Sequence, residues 1–253
     1  MPITDTIPIP GGINPGVSPA HQITMKTLLG NPRETFGQDC RPVTNPVLKN
    51  LITTDDVGPF QVTGLRPAVE SLREVIADIR QNEPEVFAGL GSSGMLCARF
   101  VRGSTVSMSN HSWGTAIDLN LNGVLDQRGD GTVQVGLSLI APIFNSHGWF
   151  WGAGFPTEDG MHFELSDQRI RELHASGIFS GAPATLPEPA LSVGDRGPEV
   201  KKLQEALNAQ GENLTTDGIF GPATHSAVVA FQAKKGLTPD GLVGPRTRAA
   251  LGL

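Results

Sequence analysis

The sequence is poor in the features that mark several broad classes of protein. Its 253 residues include only two cysteines, too few for a structural zinc site built from cysteine ligands. No apolar run reaches the roughly 18 residues that a membrane-spanning helix needs, so we expect no membrane insertion. Lysine and arginine form no block and the formal net charge is -6, so we expect no nucleic-acid partner.

The two cysteines, Cys40 and Cys97, leave two interpretations open. They could form a disulfide in an oxidising compartment, or they could be two unpaired small hydrophobic residues. The residues at the start, MPITDTIPIPGGINPG, lack the basic beginning and the continuous apolar run of a secretory signal peptide.

Proline and glycine, which number 20 and 31, are distributed in a way that divides the chain. Residues 1–180 predict a first domain, whose Pro-, Gly- and Thr-rich start up to about residue 50 predicts an extended arm. Residues 181–190 are rich in Pro and Ala and predict a linker. Residues 191–253 predict a second, smaller domain.

Periodicity predicts both helices and strands in the first domain. Residues 66–82 place apolar side chains at helical spacing, with Pro67 near the start of the helix. Residues 94–101 predict a buried strand. The segments 116–121 and 162–165 alternate between apolar and polar residues, so each predicts a strand with ionisable groups on one face.

An internal repeat marks the second domain. The segment Asp217–Thr224, DGIFGPAT, recurs as Asp240–Thr247, DGLVGPRT, and a third Gly-Pro pair stands at 197–198. Each Gly-Pro pair precedes a run with helical periodicity, and proline is favoured in the first turn of a helix. The pattern therefore predicts three short helices joined by turns.

These repeated motifs resemble the bacterial peptidoglycan-binding domain of the three-helix type, over essentially all of residues 191–253. The resemblance implies an all-α module that binds cell-wall polymer and performs no catalysis. The alternative is a degenerate module that serves only for packing.

A second group of residues in the first domain has the chemistry of a metal site. Catalytic zinc usually takes three protein ligands, and His111, Asp118 and His162 could supply two imidazoles and a carboxylate. Hydrolysis also needs a base for the proton of the attacking water. Asp159, three residues before His162, is placed for that task.

The spacing of these residues, S-x-H-x-x-G-x-A-x-D followed by D-x-x-H-x-E, resembles the D-alanyl-D-alanine carboxypeptidase and L-alanyl-D-glutamate endopeptidase superfamily. That group includes vancomycin-resistance dipeptidases and many phage endolysins. The resemblance covers roughly residues 65–180 and implies a small α+β domain with an antiparallel sheet. It also implies a Zn²⁺ site of His111, Asp118 and His162, with Asp159 as general base.

Two positions depart from the usual pattern of that superfamily. The carboxypeptidase branch commonly has Glu where this chain has Asp159, and Asp is more typical of the endopeptidase branch. The superfamily usually carries S-G-Y-R before the ligand motif, whereas here Arg99 and Arg102 are both candidates to stabilise the oxyanion. We favour Arg99, because it would end the strand predicted at 94–101.

The sequence therefore predicts a monomeric zinc peptidase that cuts the stem peptide of peptidoglycan, most readily as an L-alanyl-D-glutamate endopeptidase. Three alternatives stay open: a D-alanyl-D-alanine carboxypeptidase, a wall hydrolase of related fold with a different cut, and a non-catalytic wall-binding protein. We expect action in the cell wall or periplasm. Without a signal peptide, the expected route is holin-type lysis or a dedicated system that secretes an antibacterial effector.

Overall fold

The computed structural model describes residues 1–179, 191–237 and 239–253. Contacts between Cα atoms divide the chain into two compact units, Met1–Pro183 and Ala184–Leu253. The predicted linker at 181–190 lies outside the described residues. Within those residues, no helix combines the length and the apolar character that a membrane crossing requires.

The first unit contains both strands and helices. Its strands are β1 (Thr6–Pro8), β2 (Ile52–Asp56), β3 (Gln61–Leu65), β4 (Leu90–Gly94), β5 (Ala116–Leu121), β6 (Thr132–Gln134), β7 (Trp149–Trp151) and β8 (His162–Leu165). Its helices are α1 (Gln22–Leu29), α2 (Pro46–Leu51), α3 (Arg66–Asn82), α4 (Pro84–Gly89), α5 (Val135–Ser146) and α6 (Asp167–Ala175).

A four-stranded antiparallel sheet in the order β4-β5-β8-β7 forms the centre of this unit, while β1 pairs with β6 and β2 pairs with β3. The register of β5 against β8 places Asp118 directly opposite His162. Because side chains alternate between the two faces of a strand, these two residues project from the same face. Leu119 and Phe163 are fully buried in the hydrophobic core, as the alternating pattern predicts.

Helix α3 extends from Arg66 to Asn82, as its apolar spacing predicts. Its buried face carries Leu72, Val75 and Ile79, none of which is exposed. Full burial of such a side chain stabilises a fold by about 1.5–3 kcal/mol. The helix is therefore held by its packing against the core.

The prediction of a strand at 94–101 is wrong, because β4 ends at Gly94. Gly94 has a φ of 118°, which glycine adopts readily and which turns the chain away from the sheet. The residues beyond it are held by an isolated bridge between Arg41 and Ala98 and by a disulfide between Cys40 and Cys97. These contacts come from a distant part of the chain, so the segment needs no continuous ladder.

The N-terminal segment differs from the predicted extended arm, because it contains β1, α1 and α2. Met25, Leu28 and Leu48 from these helices belong to the hydrophobic core. The segment is therefore an integral layer of the first unit, even though its many prolines and glycines indicate irregular structure.

The second unit is all-helical, with α7 (Pro198–Ala209), α8 (Pro222–Lys234) and α9 (Pro245–Leu251). Each helix begins at the proline of a Gly-Pro pair, as predicted. The α+β first unit and the all-α second unit together confirm the predicted fold class.

Two buried glutamines organise the repeated loops of the second unit in the same way. The side-chain amide of Gln204 donates to Asp217 Oδ1 at 2.8 Å and its oxygen accepts from Gly218 N at 2.9 Å. Gln232 makes the corresponding bonds to Asp240 Oδ1 and Gly241 N, both at 2.9 Å. The sequence repeat thus corresponds to a repeated hydrogen-bonded frame.

Candidate metal centre

Strands β5 and β8 and a short 3-10 turn bring three potential ligands together. Asp118 lies on β5 and His162 opens β8, while His111 lies in the turn Asn110–Trp113. Gly114 ends that turn with a φ of 69°, and a Cβ there would lie 2.7 Å from the backbone nitrogen of Leu65. Only glycine fits this position, which returns the chain from His111 into β5.

The three side chains form a nearly equilateral triangle of ligand atoms. His111 Nε2 lies 3.1 Å from Asp118 Oδ1 and 3.2 Å from His162 Nδ1. His162 Nδ1 lies 3.1 Å from Asp118 Oδ1. The imidazoles are buried and the carboxylate is 23% exposed, so the triangle lies at the edge of the core.

The outer nitrogen of each imidazole faces a hydrogen-bond acceptor. His111 Nδ1 lies 3.0 Å from the carbonyl oxygen of Met95, and His162 Nε2 lies 2.9 Å from Glu164 Oε2. A carbonyl or carboxylate acceptor fixes the proton on the outer nitrogen, which leaves the lone pair of the inner nitrogen directed at the triangle. This is the arrangement that metal-binding histidines show.

The donor set fits zinc. Two imidazole nitrogens and one carboxylate oxygen are a common ligand set of catalytic zinc sites, which keep a fourth position open. Ligand atoms on a tetrahedral zinc ion lie about 3.3 Å apart, close to the separations of this triangle. His111, Asp118 and His162 form a group that could hold a metal ion.

The charges around the triangle favour a positive charge at its centre. Burial would lower the pKa of His162, but its hydrogen bonds to Asp118 and Glu164 outweigh burial and raise the pKa to about 10. Burial would raise the pKa of Asp118, but His111 and His162 hold it well below its usual range. A bound cation would satisfy the same electrostatic preference as this proton.

Asp159 lies beside the triangle. Burial raises the pKa of its carboxyl group, and the neighbouring charge of Asp118 adds to the rise, whereas His162 opposes it. Its Oδ1 is buried and has no hydrogen-bond partner among the described residues. Its Oδ2 lies 3.5 Å from Nε of Arg128. A partly buried carboxylate with one uncommitted oxygen can take up a proton.

The two arginine candidates differ in their surroundings. Burial and the neighbouring Arg102 lower the pKa of Arg99, while the charges of Asp118 and Asp159 raise it, so Arg99 lies within electrostatic range of the site. Its Nη1 donates to the carbonyl oxygen of Phe100 at 3.0 Å. Arg102 is exposed. The strand predicted at 94–101, which favours Arg99, does not form, because β4 ends at Gly94. Arg99 nevertheless lies near the triangle.

Sequence reasoning missed Arg128, which the structure places against Asp159. Its loop follows β5, the strand that carries Asp118. Polar loops after a strand that bears a candidate ligand are places where further site residues collect. The location of Arg128 in the loop after the strand that carries Asp118 is the feature of the sequence that could have indicated it.

The N-terminal segment contacts the site through the backbone of Ala20. Its N–H donates to Glu164 Oε1 at 3.0 Å, and its carbonyl oxygen accepts from Asn110 Nδ2 at 2.8 Å. Glu164 binds His162, and Asn110 precedes His111 in the 3-10 turn. A single residue of the N-terminal segment therefore connects the supports of two potential ligands.

The aromatic residues near the motifs divide into core and site. Trp113, Trp149 and Trp151 are almost completely buried and belong to the hydrophobic core. Phe155 is only partly buried, and its ring centroid lies 5.6 Å from that of His162. Phe155 is therefore the aromatic residue of this group that borders the triangle.

Comparisons with known proteins match two parts of the chain. Residues 102–165 match the family model described as D-alanyl-D-alanine carboxypeptidase, and residues 196–251 match the one described as a putative peptidoglycan binding domain. No curated protein sequence matches the chain.

Three solved structures are similar to short stretches of the chain. The endolysin of Burkholderia AP3 phage is 48% identical over 25% of this chain and 25% of that chain, with a TM-score of 0.25. A peptidoglycan-binding protein from Clostridioides difficile, in complex with glutamine hydroxamate, is 44% identical over 25% and 40%, with a TM-score of 0.25. The N-terminal domain of SleB is 35% identical over 27% and 94%, with a TM-score of 0.26.

The match thus spans only a quarter of the phage endolysin and two fifths of the Clostridioides difficile protein. The two family matches are more informative than these structural matches, because each lies within one of the two units. The first covers His111, Asp118 and His162, and the second covers the three helices of the second unit. One region of the chain is therefore similar to the D-alanyl-D-alanine carboxypeptidase family, and a second region is similar to the peptidoglycan-binding domain family.

Proposed function

We propose that the protein is a zinc-dependent peptidoglycan hydrolase that cleaves an amide bond in the stem peptide of the cell wall. The observation that carries the proposal is the triangle of His111, Asp118 and His162, in which both outer imidazole nitrogens are committed to acceptors. These three side chains would hold Zn²⁺. When bound, the ion supplies Lewis-acid polarisation of the scissile carbonyl and lowers the pKa of the attacking water.

The remaining steps of the reaction belong to side chains around the triangle. Asp159 accepts a proton from the attacking water and delivers it to the nitrogen of the leaving amine as the amide bond breaks. Its carboxylate has a buried oxygen available for this transfer. Arg99 is half-buried near Asp118 and Asp159, where a guanidinium stabilises the negative charge that develops on the carbonyl oxygen. Arg102 is the second candidate for that role.

The bond between L-Ala and D-Glu is the proposed point of cleavage. Aspartate at position 159 supports this choice, because the carboxypeptidase branch commonly has the longer glutamate there. Hydrolysis of D-alanyl-D-alanine is the second candidate, and the description of the family matched by residues 102–165 favours it.

The second unit is proposed to bind peptidoglycan and so to raise the local concentration of substrate at the first unit. Residues 1–180 and 191–253 would act as separate domains joined by residues 181–190, in a monomer that works in the cell wall or periplasm. The match of residues 196–251 to the peptidoglycan-binding family supports this part of the proposal.

Mass spectrometry of muropeptides incubated with the purified protein tests the proposal. We expect cut stem peptides with a new D-Glu amino end, and we expect a chelator to stop their release. Loss of a terminal D-Ala would instead identify a carboxypeptidase. Intact muropeptides from several wall types, together with no zinc in metal analysis of the protein, would favour the non-catalytic wall-binding alternative.

The variant Asp159→Ala separates catalysis from metal binding. Removal of a general base slows hydrolysis by about 10²–10⁴-fold, while the three proposed ligands stay in place. We therefore expect the variant to release almost no cut peptide and to bind zinc like the unmodified protein. Full activity in this variant would remove Asp159 from the mechanism.

A further inference from the structure

The loop that carries Arg128 is fastened to the segment that carries Asp159. The backbone N–H of Gly129 donates to the carbonyl oxygen of Glu158 at 3.2 Å. The N–H of Gly131 donates to Glu158 Oε1 at 2.6 Å. Arg128 and Asp159 each adjoin a residue of this junction, so the backbone itself places the guanidinium next to the proposed base.

Other carboxylates near this junction are engaged in hydrogen bonds with the backbone. Asp126 Oδ1 accepts from Gln134 N at 2.7 Å, and Asp130 Oδ1 accepts from Thr132 N at 2.9 Å. Glu158 accepts from Gly131 as described. These acids stabilise the loop, whereas the Asp159 carboxylate faces Arg128.

The ion pair between Arg128 and Asp159 is loose. Nε and Oδ2 are 3.5 Å apart, and the side chains are 40% and 22% exposed. A partly exposed pair at such a distance holds its partners weakly. Arg128 can therefore leave Asp159 for another carboxylate at little cost in free energy. Arg99 is less free to move, because it is half-buried and donates to the carbonyl oxygen of Phe100.

The chemistry of the two candidate cuts supplies such a carboxylate. D-Glu in the stem peptide continues the chain through its side-chain carboxyl, so its α-carboxylate stays free. A terminal D-Ala likewise carries a free α-carboxylate. In both cases, the leaving residue bears a carboxylate on the carbon attached to the amine nitrogen, which is the atom that Asp159 protonates in the proposed mechanism.

We propose that Arg128 is a specificity-determining residue that binds the α-carboxylate of the leaving residue. The planar guanidinium matches a carboxylate with two parallel hydrogen bonds. Binding would also draw Arg128 away from Asp159 and leave that carboxylate to its proton transfer. The inference rests on the proposed function, since it needs a peptide substrate at the metal site.

A pair of synthetic peptides tests the inference. Both contain the bond that the unmodified protein cuts, but the α-carboxylate of the leaving residue is free in one and amidated in the other. We expect the protein to prefer the free acid by at least about 10-fold in kcat/KM, as a charged hydrogen-bonded contact provides. In Arg128→Gln we expect a loss of about 10–100-fold on the free acid, mainly in KM, and almost no change on the amide.

Arg73→Gln is the matched control. Arg73 is also exposed and also pairs with a carboxylate, that of Asp55, but it lies on α3. We expect it to keep both activities and the preference for the free acid, and Arg128→Lys to retain part of that preference.

Three results would overturn the inference. The first is equal cleavage of both peptides by the unmodified protein. The second is an equal loss on both peptides in Arg128→Gln, which would mean that Arg128 acts only through Asp159. The third is cleavage of neither peptide by the unmodified protein, which would remove the proposed function and this inference with it.

Discussion

Glu164 provides the sharpest test of how the proposed metal site is built. Its Oε2 accepts from His162 Nε2 at 2.9 Å and its Oε1 accepts from Ala20 N at 3.0 Å, while its side chain is 4% exposed. In Glu164→Gln the shape is kept, but one acceptor oxygen becomes an NH₂ donor. Whichever way the amide turns, a donor will face either the imidazole N–H or the backbone N–H.

The expected magnitude follows from that mismatch. A buried polar group left without its partner costs about 1–3 kcal/mol. Loss of the residue that orients a metal-binding histidine typically weakens metal affinity by about 10–100-fold. We therefore expect the Kd for zinc to rise by that factor, and the free energy of unfolding of the metal-free protein to fall by about 1–3 kcal/mol.

Competition with a chromogenic chelator measures the zinc Kd, and urea unfolding after treatment with a chelator measures stability. Glu70→Gln is a matched control, because Glu70 is exposed on α3 and should change neither quantity. An unchanged zinc Kd in Glu164→Gln would refute the argument that the bond between His162 and Glu164 directs the imidazole.

Three further changes probe the rest of the molecule. Burial and neighbouring carboxylates raise the pKa of Asp126 to about 6. Between about pH 4 and pH 6 the folded protein therefore retains a proton that the unfolded chain has lost, so the free energy of unfolding falls as the pH rises through this range. Asp126→Asn should lack this fall and be about 3 kcal/mol more stable at pH 7, since the pKa rises by about 2 units at about 1.4 kcal/mol per unit. Melting temperatures that change with pH in the same way in both proteins would contradict the assignment. Cys97→Ser opens a covalent loop with a sequence separation of 57 and should lower the free energy of unfolding by about 4 kcal/mol. Equal sensitivity of the unmodified protein to urea with and without reductant would contradict this role of the disulfide. Gln232→Ala removes hydrogen bonds to Asp240 and Gly241. It should lower the melting temperature of the second unit and the amount of protein that peptidoglycan pulls down. An unchanged amount in the pull-down would show that the loop keeps its structure without these hydrogen bonds.

The elements that the sequence predicts correctly are those governed by local periodicity. Helix α3 and strands β5 and β8 lie where their spacing places them. The structure makes β5 and β8 neighbours in the sheet, so the ionisable faces that the sequence predicts for these strands bring Asp118 opposite His162. The repeated Gly-Pro pairs located the three helices of the second unit for the same reason.

The elements that the sequence does not predict depend on distant partners. The segment after Gly94 has the apolar composition of a strand, but it is held by a disulfide and a bridge to residues 40 and 41. Composition contains no information about such partners. Ala20 takes part in the site through its backbone N–H and C=O, which every residue except proline possesses. No residue type at position 20 could have indicated that contact.

The two units should also differ in how quickly they fold. The bonds of Gln204 and Gln232 in the second unit join residues that are 8 to 20 positions apart. Ala20 and Glu164 in the first unit are 144 positions apart. Distant contacts must close a large loop before they stabilise anything, and they slow folding. The support of His162 is thus completed only when the N-terminal segment docks, so the proposed hydrolase activity should appear late in folding, after the second unit is formed.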